Sequence, residues 1–334
     1  MHDVQRRRLL QAAAAHGLTL GVAGATMGIP GLAMGQQLTK LKWATLTPGF
    51  TILLSEYVQA KNLDKKYGID LGKPTSYSAV STYYNDFVAG NFDVCIGSWD
   101  TFAARYLTGV PMQLVCAITT GNMINIVVPK DGAKTIKDLR GKVFAAPQST
   151  GTYRMTRAII KELQGIDVEE AMKVQNVDNP AASVTLVMAN RADAALSWEP
   201  NISSGLSRVP DMRVLYNAGV EYKKKTGLDL PFFGVALKKD LIAKNPGLVK
   251  KVDDMFKGLI DGIVNNTAEA VKIGGSQSGI PPAVLAAAIS SGRLQFKHIS
   301  MSDAAGRKSV TQASEFLART KALPRPVDDG FFAA

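Results

Sequence analysis

Val143-Phe-Ala-Ala-Pro-Gln-Ser-Thr-Gly-Thr-Tyr153 decides how this chain reads. Four apolar residues, Val143 to Ala146, have the length and bounding of a buried strand. They run into a polar loop, Pro147 to Thr152, and the loop into a helix predicted over Tyr153 to Leu163. Strand, loop and helix in that order form the repeating step of a layered α/β protein.

The step recurs on both sides. Downstream, the pattern predicts a strand over Val174 to Val177, a helix over Ala181 to Ala189 and a strand over Ala192 to Ser197, with Val214-Leu-Tyr216 closing the set. Upstream, Thr135 to Lys142 reads as a short helix and turn. A first set comes earlier: a strand over Leu41 to Leu46 closed by Thr47-Pro-Gly49, a helix over Ile52 to Lys66, a strand over Leu71 to Tyr77, and a helix over Ser81 to Ala89. Strands at Phe92 to Ile96 and Gln113 to Thr119 complete it. Such alternation predicts an α/β class with a largely parallel sheet. A strand around Pro231 to Leu237 then leads to helices over 246–274, 281–291 and 302–321. No low-complexity linker separates the two sets. The chain is therefore expected to cross twice, near 121–130 and 226–236. That makes one lobe of 36–125 with 230–334 and a second of 126–229. In open α/β sheets ligands sit beyond the carboxyl ends of the strands, so the cleft between the lobes is the expected site.

Composition supports this and excludes much else. The 334 residues are 46% hydrophobic and 20% charged, too apolar for a disordered chain. At roughly 150 residues per domain the length suits two domains. The formal charge is +11, yet Lys and Arg are spread along the chain with no basic run interleaved with aromatics, so nucleic acid is not an expected partner. Of three histidines, His2 and His16 fall in the leader described below, leaving His298, which reads as solvated. One histidine is a poor start for a His-based triad or a His-rich zinc site. Cys95 and Cys116 lie in apolar runs and read as small buried side chains, with a disulfide open if their strands are neighbours. No catalytic residue, cofactor or metal is expected.

Residues 1–35 read as an export signal. Gln5-Arg-Arg-Arg-Leu-Leu-Gln11 sets consecutive arginines before a glycine-broken, mildly apolar stretch, and Ala33-Met-Gly35 offers the small residues a signal peptidase needs. The pattern is of the twin-arginine type. A membrane anchor is the other reading, but Leu18 to Ala33 falls short of the roughly 20 apolar residues a span requires. With no cysteine near the cleavage region, a lipoprotein is not supported. Cleavage near Gly35-Gln36 would leave a periplasmic chain, expected to be a monomer.

Asp138-Leu-Arg-Gly-Lys-Val143, Ser149-Thr-Gly-Thr152, Asn190-Arg-Ala-Asp-Ala194, Ser197-Trp-Glu-Pro200 and the later Gly234-Val-Ala-Leu-Lys-Lys-Asp240 with Asn245-Pro246 resemble, in order and spacing, the periplasmic binding proteins of nitrate/sulfonate/taurine-type ABC transporters. The resemblance covers nearly all of 40–330. It implies a two-lobed, type II periplasmic-binding fold that closes on a small organic solute and delivers it to a permease, with its ATPase, in the inner membrane.

Candidate ligand contacts follow from the predicted strand ends. Ser149, Thr150, Gly151 and Thr152 put hydroxyls and free N–H groups at a helix N-terminus, ready donors to an anionic or carbonyl group; ordinary N-capping is the alternative. Trp198 and Glu199 end a strand facing the cleft, as a stacking wall and an acceptor or lobe-closing contact, against a core Trp and a helix-start Glu-Pro. Ser98, Trp99 and Asp100 occupy the matching end in the first lobe. Thr47 is a further hydroxyl donor, and Asn122 at the first crossing offers both donor and acceptor. Arg154 beside the Ser/Thr loop suits a sulfonate or carboxylate unless it points outward. Phe232 and Phe233 at the second crossing are either hinge packing or an apolar wall. No convergent pair of arginines stands at these ends, while Asp100 and Glu199 bring acid near the cleft. An amine-bearing, hydroxylated or aromatic solute therefore stands beside a sulfonate.

Two other functions share these features. A thiamine-pyrimidine synthase lineage is built on the same scaffold, but its chemistry, as the resemblance implies it, relies on histidine and a cysteine-rich segment, whereas the chain after the leader has only His298 and two separated cysteines. A periplasmic ligand sensor without a transporter is the other.

Overall fold

The computed structural model describes residues 38–333, so the leader and cleavage expectations for 1–35 lie outside the described residues. Two sheets organise the rest. One has five strands in the order Met212–Asn217, Ile124–Pro129, Ala194–Trp198, Val143–Ala146, Lys173–Asn176. The other has four, Phe296–Ser300, Met112–Thr119, Phe233–Lys238, Val94–Ser98. A parallel bridge from Trp43 to Val94 extends it toward the parallel pair Ala44–Leu46 and Thr75–Tyr77.

Neither sheet is largely parallel, which corrects the expectation from sequence. The chain enters each half on a strand laid antiparallel inside that half's sheet. Ile124–Pro129 lies between Met212–Asn217 and Ala194–Trp198, antiparallel to both. Phe233–Lys238 lies between Met112–Thr119 and Val94–Ser98 in the same way. Hydrophobic patterning reports which face is buried but not which way a strand runs. Just before these strands the two passages lie side by side: Gly121 donates to the Leu230 carbonyl at 2.7 Å and Phe232 to that of Thr119 at 3.0 Å.

Most predicted helices form, with shifted ends. The first breaks into Phe50–Lys61 and Leu63–Lys66 at Asn62, whose φ of 49° is left-handed. The long span over 246–274 divides into Leu248–Asn265 and Thr267–Gly274, because the Asn266 side chain accepts from the Glu269 N–H and caps a new start. Helices Trp99–Leu107, Asn201–Arg208 and Ala218–Thr226 and the strand Phe296–Ser300 were not legible in the pattern.

The helix after the Ser/Thr loop, Gly151–Gln164, shows how local sequence sets its ends. Thr150 caps the Tyr153 N–H, Met155, Ala158, Ile159 and Ile160 bury one face, and Gly165 stops it at a φ of 66°. Arg157 and Lys161 on its exposed side both donate to Asp167. Burial works against ionisation of Asp167, but these donors and the Glu169 N–H outweigh it and bring its pKa to about 2.

Both cysteines are free and buried. Cys95 pairs with Ala236 and Cys116 with Val235, so the return strand stands between them. Two strand spacings of about 4.8 Å exceed a disulfide's reach, which closes the bridge left open above. His298 is not solvated: its side chain is 10% exposed and its Nε2 lies 2.9 Å from Asp253 Oδ1. Among the described residues no helix is long and apolar enough to cross a membrane.

Candidate functional site

The carboxyl ends of strands from both sheets, Leu46, Ser98 and Trp198, meet two adjoining cavities that share Leu46, Val80, Trp198 and Phe233. One continues over Thr47, Gly49, Phe50, Thr51, Ser78, Asn179, Pro180 and Asn201, the other over Tyr84, Ser98, Thr150, Gly151 and Thr152. The first residues of five helices thus face one space: Phe50–Lys61, Val80–Ala89, Gly151–Gln164, Pro180–Met188 and Asn201–Arg208. The first two have no side-chain cap, so their leading N–H groups are open to an acceptor. Among the described residues, no charged side chain lines either cavity.

The space is small. The two cavities hold about 30 and 20 Å³, whereas ligand pockets run to roughly 300–1,000 Å³. A wider groove of about 640 Å³ lies between residues 129–143 and 190–193, but it is open, charged and away from the converging strand ends. Convergence, not capacity, marks the candidate site.

Of the residues expected from sequence, the structure brings Thr47, Ser98, Thr150, Gly151, Thr152 and Trp198 to this space. The Thr47 hydroxyl is shared with Ser76, that of Ser98 with Thr101 at 2.9 Å, and Thr150 donates to the Pro147 carbonyl at 2.7 Å. Trp198 keeps only 8% of its surface exposed and closes over both cavities.

The others are placed elsewhere. Ser149 is exposed and outside the lining. Trp99 is wholly buried, its Nε1 donating to the Pro231 carbonyl at 2.7 Å. Phe232 is core and meets Phe233 edge-on; the cavity takes Phe233, the first residue of the return strand. Asn122 sits at the first crossing, donating to Gln295 Oε1 at 3.2 Å.

Asp100, Arg154 and Glu199 are used in pairs that join the halves. Arg154 Nε, on the helix beside the five-stranded sheet, donates to Asp100 Oδ2 at 2.8 Å. Arg293, just before the strand Phe296–Ser300, donates to Glu199 Oε1 at 2.6 Å, and Ser203 satisfies Glu199 with its N–H and hydroxyl, both at 3.0 Å. Both carboxylates are fully buried. Sequence reading missed Arg293 because its partner is 94 residues away. It also missed Asn179, Pro180, Thr51 and Val80, although the helix-start logic applied to the Ser/Thr loop also applies to Asn179-Pro180.

The profile of the family described as NMT1/THI5 like matches residues 59–270, well over half of the chain. Proteins of Brucella abortus and Brucella suis described as binding proteins are 25% identical over 171 residues, and the match spans about half of each relative, 51%. Among solved structures, the alkanesulfonate-binding protein SsuA of Xanthomonas axonopodis pv. citri, bound to MOPS, superposes with a TM-score of 0.70 at 17% identity, over 86% of this chain and 96% of that one. The aliphatic sulphonate binding protein SsuA of Escherichia coli gives 0.71 at 16%, over 88% and 92%. A Candida albicans protein described as having the generic periplasmic binding protein fold gives 0.64 at 14%, over 88% and 94%. These likenesses show the fold.

Proposed function

We propose that this chain, which belongs to the NMT1/THI5-like family, is the solute-binding component of an ABC importer. It takes a small organic solute between its two halves and presents the closed form to a permease in the inner membrane. One observation carries the reading: strand ends and helix N-termini from both sheets converge on a narrow, uncharged space too small for a solute as it stands. Entry therefore needs the halves to part. The adjacent crossings at Thr119–Gly121 and Leu230–Phe232 are the only strand-like passages between the sheets among the described residues, and they suit a hinge. On this reading one lobe comprises 36–125 with 230–334, the other 126–229. Contacts made by both lobes exist only when closed, so solute binding shifts the open–closed population.

Fold and family point to a binding protein rather than an enzyme. The residues a thiamine-pyrimidine chemistry would draw on lie away from the cleft, with His298 bound to Asp253 and both cysteines inside a sheet. Burial raises both thiol pKa values, leaving them protonated at neutral pH.

The periplasmic location, the leader at 1–35 with its twin-arginine pattern, and the monomeric state belong to the same proposal. A thermal-shift screen of the refolded, ligand-stripped protein tests it with alkanesulfonates, taurine, nitrate, aromatic carboxylates and pyrimidines. A ligand at 1,000 times its Kd adds about 4 kcal/mol, and one chemical class is expected to raise the midpoint by several degrees. Silence across the panel, with no solute retained in native mass spectrometry of unstripped protein, would reject the reading.

A further inference from the structure

Resting on the solute-binding reading, we infer that Asp100 is a built-in anion. It fills the acid-binding position of the cleft, so the group of the solute that sits against Gly151 and Thr152 carries no negative charge.

The position has every part of an anion site. The first residue of the 14-residue helix Gly151–Gln164 lies against it, Arg154 projects from the first turn of that helix, and Ser98 and Thr101 hydroxyls stand alongside. What occupies it is the protein's own carboxylate. Asp100 is fully buried, and its Oδ2 takes the Arg154 Nε at 2.8 Å. Its Oδ1 has no hydrogen-bond partner and is pressed against the first residue of the helix: a Cβ on Gly151 would lie 2.1 Å from Asp100 Oδ1 and 2.2 Å from Ser98 Oγ. An oxygen that leaves water and gains no donor is held there by the helix end and the guanidinium rather than by a hydrogen bond of its own. Glycine at 151 is what allows this approach.

The consequence for recognition follows from charge bookkeeping at the site. Arg154 is neutralised by Asp100 and lines neither cavity, and the wall here offers hydroxyls, backbone, the Leu46 and Val80 side chains and aromatic rings. An incoming sulfonate or carboxylate at Thr152 would face a buried like charge across Gly151 and find no free cation. An amide, sulfone, hydroxyl or ring nitrogen keeps the hydrogen bonds and avoids the repulsion. In the structural neighbours that carry sulfonate-binding names, ligand class is a property of those proteins; here Asp100 sets a different one.

The test compares each acid with an uncharged partner of similar shape: ethanesulfonate with ethyl methyl sulfone, benzoate with benzamide, nicotinate with nicotinamide. Binding to the full-length mature protein is measured by calorimetry for wild type, Asp100→Asn, and Asp100→Asn combined with Arg154→Met. Wild type is expected to favour the uncharged member of any pair it binds. Asp100→Asn frees Arg154 and is expected to raise affinity for the acids at least tenfold over wild type, and the double variant is expected to lose that gain. Equal acid affinity in wild type and Asp100→Asn, silence included, overturns the inference. So does a wild type that prefers the acids, which needs no variant to fold and leaves the solute-binding reading intact. Failure of that reading shows differently, as no solute of any charge in wild type or in native mass spectrometry.

Discussion

Ser98-Trp99-Asp100 and Ser197-Trp198-Glu199 look like copies of one another, and the structure places them one residue out of step. Ser98 pairs with Phe233 and Trp198 with Ile124, each the last residue of its strand against the first of the strand that has just crossed. The next N–H groups confirm the offset: Trp99 donates to the Phe232 carbonyl and Glu199 to that of Met123. Ser98 is thus the counterpart of Trp198, and Trp99 of Glu199. Period-two alternation sends the last strand residue to the cleft and the one after it inward. One half therefore offers the cleft a hydroxyl, the other an indole. The buried position holds an apolar ring in one half and a paired carboxylate in the other.

The largest expected effect tests that buried position. Glu199→Ala strands the Arg293 guanidinium and two donors from Ser203, and should cost about 3–5 kcal/mol of stability in urea unfolding. Asp100→Ala should cost less, because Oδ1 makes no hydrogen bond; equal losses would undo the distinction between the two acids. Trp198→Ala should weaken solute binding by about 1–3 kcal/mol, the range of a binding hot spot, and calorimetry on a folded variant would show it. Gly151→Ala should lower solute affinity through an overpacking cost of about 1–3 kcal/mol confined to the closed form; affinity at the wild-type level would mean that Asp100 does not press on the helix. Trp99→Phe removes the bond to Pro231 and shrinks a fully buried ring, and should cost stability in urea unfolding without changing solute affinity. The smallest effect is in acid. With its folded pKa at about 2 against an ordinary 3.8, Asp167 adds stability above pH 4 that fades as pH falls toward 2, and Asp167→Asn should flatten that part of the profile.

The same offset explains what was legible. The Ser/Thr loop could be found because a strand, hydroxyls, a glycine and a helix follow one another within a dozen residues, and each signal is local. Which of Phe232 and Phe233 faces the cleft depends on the phase of the strand against Val94–Ser98, a fact carried by pairing. Trp99 was misplaced for the same reason. Arg154 read as free because nothing near it in the chain is acidic; its partner lies 54 residues earlier. The α/β class was legible from alternation alone, whereas strand direction was not.

The strand Phe233–Lys238 has a consequence for how the molecule comes into being. It sits between Val94–Ser98 and Met112–Thr119 and hydrogen-bonds to both, so the sheet begun at the amino-terminal end has a gap through its middle until the chain has left, built the other half and returned. The five-stranded sheet has no such wait, since all its strands lie between Ile124 and Asn217. Long-range closure is the slow part of folding. In pulse-labelled refolding, amides of Ala194–Trp198 should gain protection before those of Val94–Ser98. The half that is begun first is finished last.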